Sequence, residues 1–173
     1  YYIVPKKDYR MPARKTSLDQ LDYQILQALH QDARTPAVDI ARLTGANERT
    51  VRKRIERLVA DGVVRLTAIL EPAAFGYLTA ADIFLEVEPA LEDQIIQTLM
   101  AMPEVTYLAY GQGTKQVSIE ARFKDNDALR TFLRHRLADL PGVSITGYAY
   151  VPRILRNIDE WMPPVDEFNF ERE

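Results

Sequence analysis

The sequence predicts an α+β protein: a helix-turn-helix unit at residues 18–70, a linker at 71–80, and a ferredoxin-like βαββαβ domain at 81–152. Three observations predict it. Apolar residues recur at helical spacing in three successive stretches between Leu18 and Gly62. Ala41, Gly45 and Val51 stand four and six residues apart, as two steeply crossing helices require. Beyond Pro72, two helical stripes alternate with four β-prone runs. Residues 1–17 are a basic leader and 153–173 a C-terminal extension.

Leu18, Leu21, Ile25 and Leu29 give the first helix one buried face. Asp19 and Asp22 fall in its first turn, at the positive end of the helix dipole. Pro36 opens a short second helix with Val38, Ile40, Ala41 and Leu43 inward, closed by Thr44-Gly45. Asn47 caps a third helix in which Val51, Ile55, Leu58 and Val59 face inward, and Asp61-Gly62 ends it. The crossing of helices two and three needs a small residue, a Gly to turn and an apolar anchor, which Ala41, Gly45 and Val51 supply.

Val63 to Leu70 is β-prone, and Glu71-Pro72-Ala73-Ala74-Phe75-Gly76 breaks the chain. Asp82–Glu88 then reads as a strand, Leu91, Ile95, Leu99 and Met102 as a helical stripe, and Val105–Tyr110 as a second strand. Val117, Ile119, Ala121 and Phe123 alternate with Ser118, Glu120 and Arg122, the period of a half-buried strand. Leu129, Phe132, Leu133 and Leu137 form the second helical stripe, and a strand from Val143 to Val151 completes the order. Each helix meets the next strand through a proline, in Met102-Pro103-Glu104-Val105 and Leu140-Pro141-Gly142-Val143. Helices on one face leave the other face of the sheet uncovered, so a homodimer formed through these sheets is expected, with exposed binding of something flat as the lesser alternative.

The net charge of −3 hides an asymmetry. Residues 1–77 carry 13 Lys+Arg against 9 Asp+Glu, and residues 78–173 carry 9 against 16. A basic half joined to an acidic half suggests a nucleic-acid-binding module attached to something else. With no cysteine there is no disulfide framework, Cys-ligated zinc or cysteine nucleophile, and the composition suits a reducing cytoplasm, the expected location. No apolar run approaches the roughly 20 residues that span a bilayer, so no membrane partner is expected.

The third helix carries Arg49, Arg52, Lys53, Arg54 and Arg57 against Glu48 and Glu56. Pairs such as Glu48–Arg52 neutralise at most two of the five cations. The others repel one another unless an anion is supplied, and the phosphates of double-stranded DNA supply it. Asn47, Glu48, Arg49, Thr50 and Lys53 lie near the helix start, where side chains reach base edges. Arg52 shares this basic face. Arg54 and Arg57 lie further along and read as phosphate clamps, Arg54 alternatively as partner to an acidic residue inside the domain. Arg34 and Thr35 precede helix two and place a guanidinium and a hydroxyl on the backbone. Lys6, Lys7, Arg10, Arg14 and Lys15 of the leader form either a non-specific arm or an appended tail, since Met11 can serve as initiator.

Leu18-Asp19-x-x-Asp22-x-x-Ile25-Leu26-x-x-Leu29, Asp32-Ala33-Arg34, Ala41, Gly45, Thr50-Val51-x-x-Arg54-Ile55-x-Arg57-Leu58 and Gly62-Val63-Val64 together resemble the Lrp/AsnC, or feast/famine, family of prokaryotic transcriptional regulators. Leu140-Pro141-Gly142-Val143 and the βαββαβ order are similar to that family's effector domain. The resemblance covers residues 17–155. It implies a winged helix-turn-helix, a β-linker, dimers through the second domains that assemble to tetramers or octamers, and a small effector, commonly an amino acid, bound where dimers meet. It places the effector pocket around Tyr110, Gly111, Gln112, Gly113, Thr114 and Gln116. The glycines there are equally read as a tight hairpin turn. The chain departs from the family at Gln116, where an Asp is usual. A neutral Gln beside Lys115 cannot pair with an ammonium group, so the effector is an unusual amino acid, an anion, or absent.

No resident cofactor, metal or catalytic residue is expected. Some siroheme decarboxylases resemble this family, which keeps a tetrapyrrole-modifying enzyme as the alternative, alongside a ligand sensor that binds no DNA. Against the enzyme, the two histidines, His30 and His135, sit amid polar neighbours and read as solvated surface groups.

Overall fold

The computed structural model describes residues 17–111 and 116–170, apart from the Asp159 side chain. The basic leader and Gln112, Gly113 and Thr114 of the expected pocket lie outside the described residues. The chain divides into two compact units, one from residues 1–68 with 156–173 and one from 69–155.

In the first unit, α1 (Gln20–Gln31), α2 (Ala37–Thr44) and α3 (Glu48–Ala60) form the three-helix arrangement. Asp19 is the N-cap of α1, one step outside the helix. It accepts from the Asp22 N–H at 2.9 Å while Asp22 accepts from the Asp19 N–H at 3.2 Å, a closed capping box. Gly45 turns between α2 and α3 at φ 71°, a left-handed conformation that glycine adopts without strain. Asn47 caps α3 by accepting from the Arg49 N–H at 2.8 Å.

Ile25, Leu26, Leu29, Ile40, Ala41, Val51 and Leu58 make the core. Val38, Leu43 and Val59, expected to face inward, are exposed, Leu43 at 76%. The buried arc of α2 is set by Ile40 and Ala41, and that of α3 by Val51 and Leu58; the other three fall outside it. No strand forms over residues 63–70, since none of the described chain supplies a ladder partner there. Val63 and Val64 instead turn back on α3, both donating N–H groups to the Leu58 carbonyl, at 2.9 and 3.2 Å.

The C-terminal extension packs within this same unit. Phe168 is 4% exposed among the core side chains, its ring edge-on to Tyr23 at 4.8 Å between centroids, with Phe170 on the same tyrosine at 5.7 Å. Asn169 pairs with Asp19 as a single parallel bridge and donates its N–H to the Leu18 carbonyl at 2.7 Å.

The second unit holds β1 (Thr79–Val87), α4 (Glu92–Ala101), β2 (Val105–Tyr110), β3 (Val117–Phe123), α5 (Asn126–Phe132) and β4 (Val143–Tyr150). The sheet runs β2-β3-β1-β4 with every neighbouring pair antiparallel, the split βαβ arrangement. Ile83, Leu85, Val117, Ile119 and Ala121 point from the sheet to Ile95, Leu99, Phe132 and Leu137 of the helical layer. A π-helical turn over Leu133–Leu137 continues α5 and brings Leu137 fully into that core. The face away from the helices is mixed rather than apolar, with Asp82, Glu86 and a Glu120–Arg122 pair at 2.7 Å beside Phe84.

Candidate nucleic-acid interface

A helix that packs against a core through one face must divide its charges between two environments. In α3, Val51, Ile55 and Leu58 face the core, and Glu48, Arg49, Thr50, Arg52, Lys53 and Glu56 are exposed. Asn47, as the cap, is exposed at the helix start. Arg52 donates to Glu48 at 2.6 Å, an i,i+4 pair open to solvent. Among the described residues, no ion pair engages Arg49 or Lys53, so these two carry the uncompensated positive charge of the outer face.

Arg54 and Arg57, expected as phosphate clamps, turn inward. Arg54 donates Nη1 to Asp19 at 2.6 Å and to both oxygens of Asp22 at 3.1 Å, and Arg57 donates Nη2 to Asp22 at 2.5 Å. The cause is Asp22, whose side chain is 1% exposed: a carboxylate removed from water must be met by cations and hydrogen-bond donors. The intradomain pairing weighed for Arg54 is the one found, and Arg57 shares it. Burial raises the Asp19 carboxyl pKa, but the Asp22 N–H and the Arg54 guanidinium outweigh it and hold the group below its ordinary value.

Arg34 precedes α2 with its side chain 92% exposed, its Nε 3.3 Å from Asp32. The Thr35 hydroxyl donates to the Asp32 carbonyl at 2.7 Å, which closes the turn and leaves its lone pairs available. Both stand at the mouth of the helix-turn-helix, one as cation and one as polar support.

In the second unit, Tyr110 ends β2 and donates its hydroxyl to Glu92 at 2.6 Å, a bond that raises the phenol pKa. The Gly111 N–H donates to the Gln116 carbonyl at 2.8 Å, continuing the β2–β3 pairing into the turn. His30 and His135 are exposed, and among the described residues no group of three or more His, Asp or Glu side chains converges as a metal site would.

Sequence reasoning missed Tyr23, Phe168 and Asn169. The available signal was Phe168-Asn169-Phe170, an apolar-polar-apolar alternation.

Two family models match the chain: the AsnC-type helix-turn-helix domain over residues 18–59 and the Lrp/AsnC ligand-binding domain over residues 81–153. An HTH-type transcriptional regulator of Pyrococcus horikoshii is 33% identical over 150 residues, covering 86% of this chain and 92% of that one. The HTH-type regulator FL11 of the same organism is 30% identical over 133 residues, covering 76% and 87%. Among solved structures, AsnC of Escherichia coli superposes with a TM-score of 0.75 at 26% identity, covering 83% of this chain and 99% of that one. A Neisseria meningitidis transcriptional regulator, solved in complex with L-Met, gives the same TM-score at 22% identity, covering 82% and 94%, a likeness of fold.

Proposed function

The chain belongs to the Lrp/AsnC family of DNA-binding transcriptional regulators, and from that premise we propose that Arg49 and Lys53, with Asn47 and Thr50, read base edges. Arg34, Thr35 and Arg52 hold the phosphates on either side. The observation that carries this reading is the division of α3: the Arg49 and Lys53 cations stay outside while Arg54 and Arg57 are consumed inside. The protein acts as a homodimer or a higher even assembly, so the two recognition helices meet half-sites about one helical turn or a multiple apart. We read its location as cytoplasmic, as suits a DNA-binding regulator of this prokaryotic family. Selection of duplexes from a random pool by the full chain, followed by footprinting, tests the reading. A paired footprint at helical-turn spacing is expected, and enrichment of no sequence overturns it.

The second unit takes a small effector near Tyr110, Gly111 and Gln116. A relative of the same fold was solved with L-Met, and the neutral Gln116 beside Lys115 favours a ligand not dependent on an ammonium–carboxylate contact. A thermal-shift screen of amino acids and small carboxylates identifies it by the rise in midpoint that native-state binding produces. We read the protein as a regulator rather than an enzyme, because the relatives it matches are transcriptional regulators. Tetrapyrrole absorption in the purified protein would overturn this.

A further inference from the structure

Residues 156–170 lie beyond the family match, which ends at residue 153, yet they complete the helix-turn-helix unit. Phe168 is 4% exposed, its ring edge-on to Tyr23 of α1, and Met162 packs on the same core. Beside it, Asn169 donates its N–H to the Leu18 carbonyl at 2.7 Å and its side-chain amide to the Ser17 hydroxyl at 3.0 Å, so the segment runs alongside the entry to α1. The residue it bridges, Asp19, has a second task. Its carboxylate caps α1 and takes Arg54 from α3 at 2.6 Å. Three groups in sequence, Asn169, Asp19 and Arg54, thus join the C-terminal segment to the helix whose outer face carries Arg49 and Lys53.

We infer that the C-terminal segment is a positioning strap for the recognition helix, with Phe168 as its anchor and Asn169 as the contact that holds Asp19, and through it Arg54, in place. Core filling alone does not call for this arrangement, since an apolar anchor seals a core wherever it lands. Here the anchor's neighbour bonds a short stretch whose Asp19 both caps α1 and holds Arg54 of α3. The chain leaves the helix-turn-helix unit after residue 68 and re-enters it at residue 156, so each such unit is joined to the ligand-binding fold at two points of the chain. A change at β4 therefore has a route toward Asp19 that does not pass through the 61–78 connection: along the chain to Asn169 and across its hydrogen bond to the Leu18 carbonyl. The inference rests on the DNA-reading role of α3 and deepens it.

The test uses the full chain, a duplex selected by the wild-type protein, and a scrambled duplex of equal length. Loss of folded protein lowers both affinities by one factor, whereas a displaced recognition helix lowers their ratio. Phe168→Ala is expected to reduce that ratio about tenfold with circular dichroism unchanged, on the order of one lost base contact, and Phe168→Leu to restore it to within about threefold. Because the effect runs through Asp19, Phe168→Ala combined with Asp19→Asn costs no more discrimination than the worse single variant. If Phe168→Ala does not fold, Asn169→Pro, which removes both the N–H given to Leu18 and the side-chain amide given to Ser17, carries the same expectation. An unchanged ratio in the variant that folds, or losses that multiply independently, overturns the strap. A wild-type protein that selects no duplex refutes DNA reading instead. The strap is then judged from the Arg54 guanidinium resonances, which Phe168→Ala shifts if it positions Asp19 and leaves in place if it does not.

Discussion

Arg57 of α3 donates Nη2 to the Asp22 carboxylate of α1 at 2.5 Å, and Asp22 is wholly buried. With Arg54 on the same carboxylate, the first and third helices are joined by a charge cluster where an all-apolar core would have sufficed. Each arginine meets the acid through a single terminal nitrogen, Nη1 of Arg54 and Nη2 of Arg57, and the side chains remain 28% and 39% exposed.

Asp22→Ala leaves two cations facing the vacated site and opens the capping box of α1. Breaking a buried pair costs about 3–5 kcal/mol. The low end is expected here, because the Arg54 and Arg57 side chains keep 28% and 39% exposure and recover part of their hydration. Urea unfolding followed by far-ultraviolet circular dichroism reads it, and an unmoved midpoint would contradict the cluster's role.

Asp19 titrates below its ordinary range when folded. A depressed folded pKa contributes stability that is complete above the unfolded value, near 3.8, and is lost as pH falls through the folded value. The helix-turn-helix unit is therefore expected to weaken as pH drops below about 4, and Asp19→Asn to flatten that part of the stability–pH profile. Equal acid sensitivity in the two proteins refutes the assignment.

Arg49→Ala with Lys53→Ala should erase base preference, while Arg57→Ala should lower stability and leave the preference of the folded fraction intact. In a salt titration, each lost phosphate contact reduces the slope by about one. Arg34→Ala and Arg52→Ala are expected to do so, Arg57→Ala is not. A slope change for Arg57 equal to that for Arg34 would put its guanidinium back on the DNA.

Leu58 and Leu43 share chemistry and differ in place, at 0% and 76% exposure. Leu58→Ala should cost about 2–5 kcal/mol, as large-to-small core changes do. Leu43→Ala should stay within about 0.5 kcal/mol. Thermal midpoints of the two variants compared with wild type decide it, and similar shifts would mean that Leu43 is covered.

Gly142 sits at φ 77° with its carbonyl accepting from the Glu88 N–H at 2.8 Å, and a Cβ there would meet Leu91 Cδ1 at 2.9 Å and Glu88 Cβ at 3.1 Å. Gly142→Ala combines left-handed strain with a contact that must shift, and about 1–3 kcal/mol of destabilisation is expected in the second unit. Gly45→Ala has the same positive φ but open space, and should lose less. The reverse order in differential scanning calorimetry would refute this account.

Periodicity and punctuation are local, and wherever structure is decided locally the chain could be read directly. Asn47 caps α3 as expected, β2 and β3 occupy the expected residues, and the βαββαβ order holds. Charge sign was legible too, but not where each charge goes. Five cations on one helix look alike in sequence, and only the packing of α3 on α1 separates Arg49 and Lys53 from Arg54 and Arg57.

By itself, then, the sequence determined the element types, the helix-turn-helix spacing, the sheet order and the basic character of the third helix, because caps, turns and apolar periods act over a few residues. The tertiary structure alone decided that Asp22 is a buried acid, that Leu43 and Val59 face outward, and that Phe168 returns across some 145 residues to Tyr23. Each depends on which surfaces of distant segments exclude water together, and no local pattern carries that information.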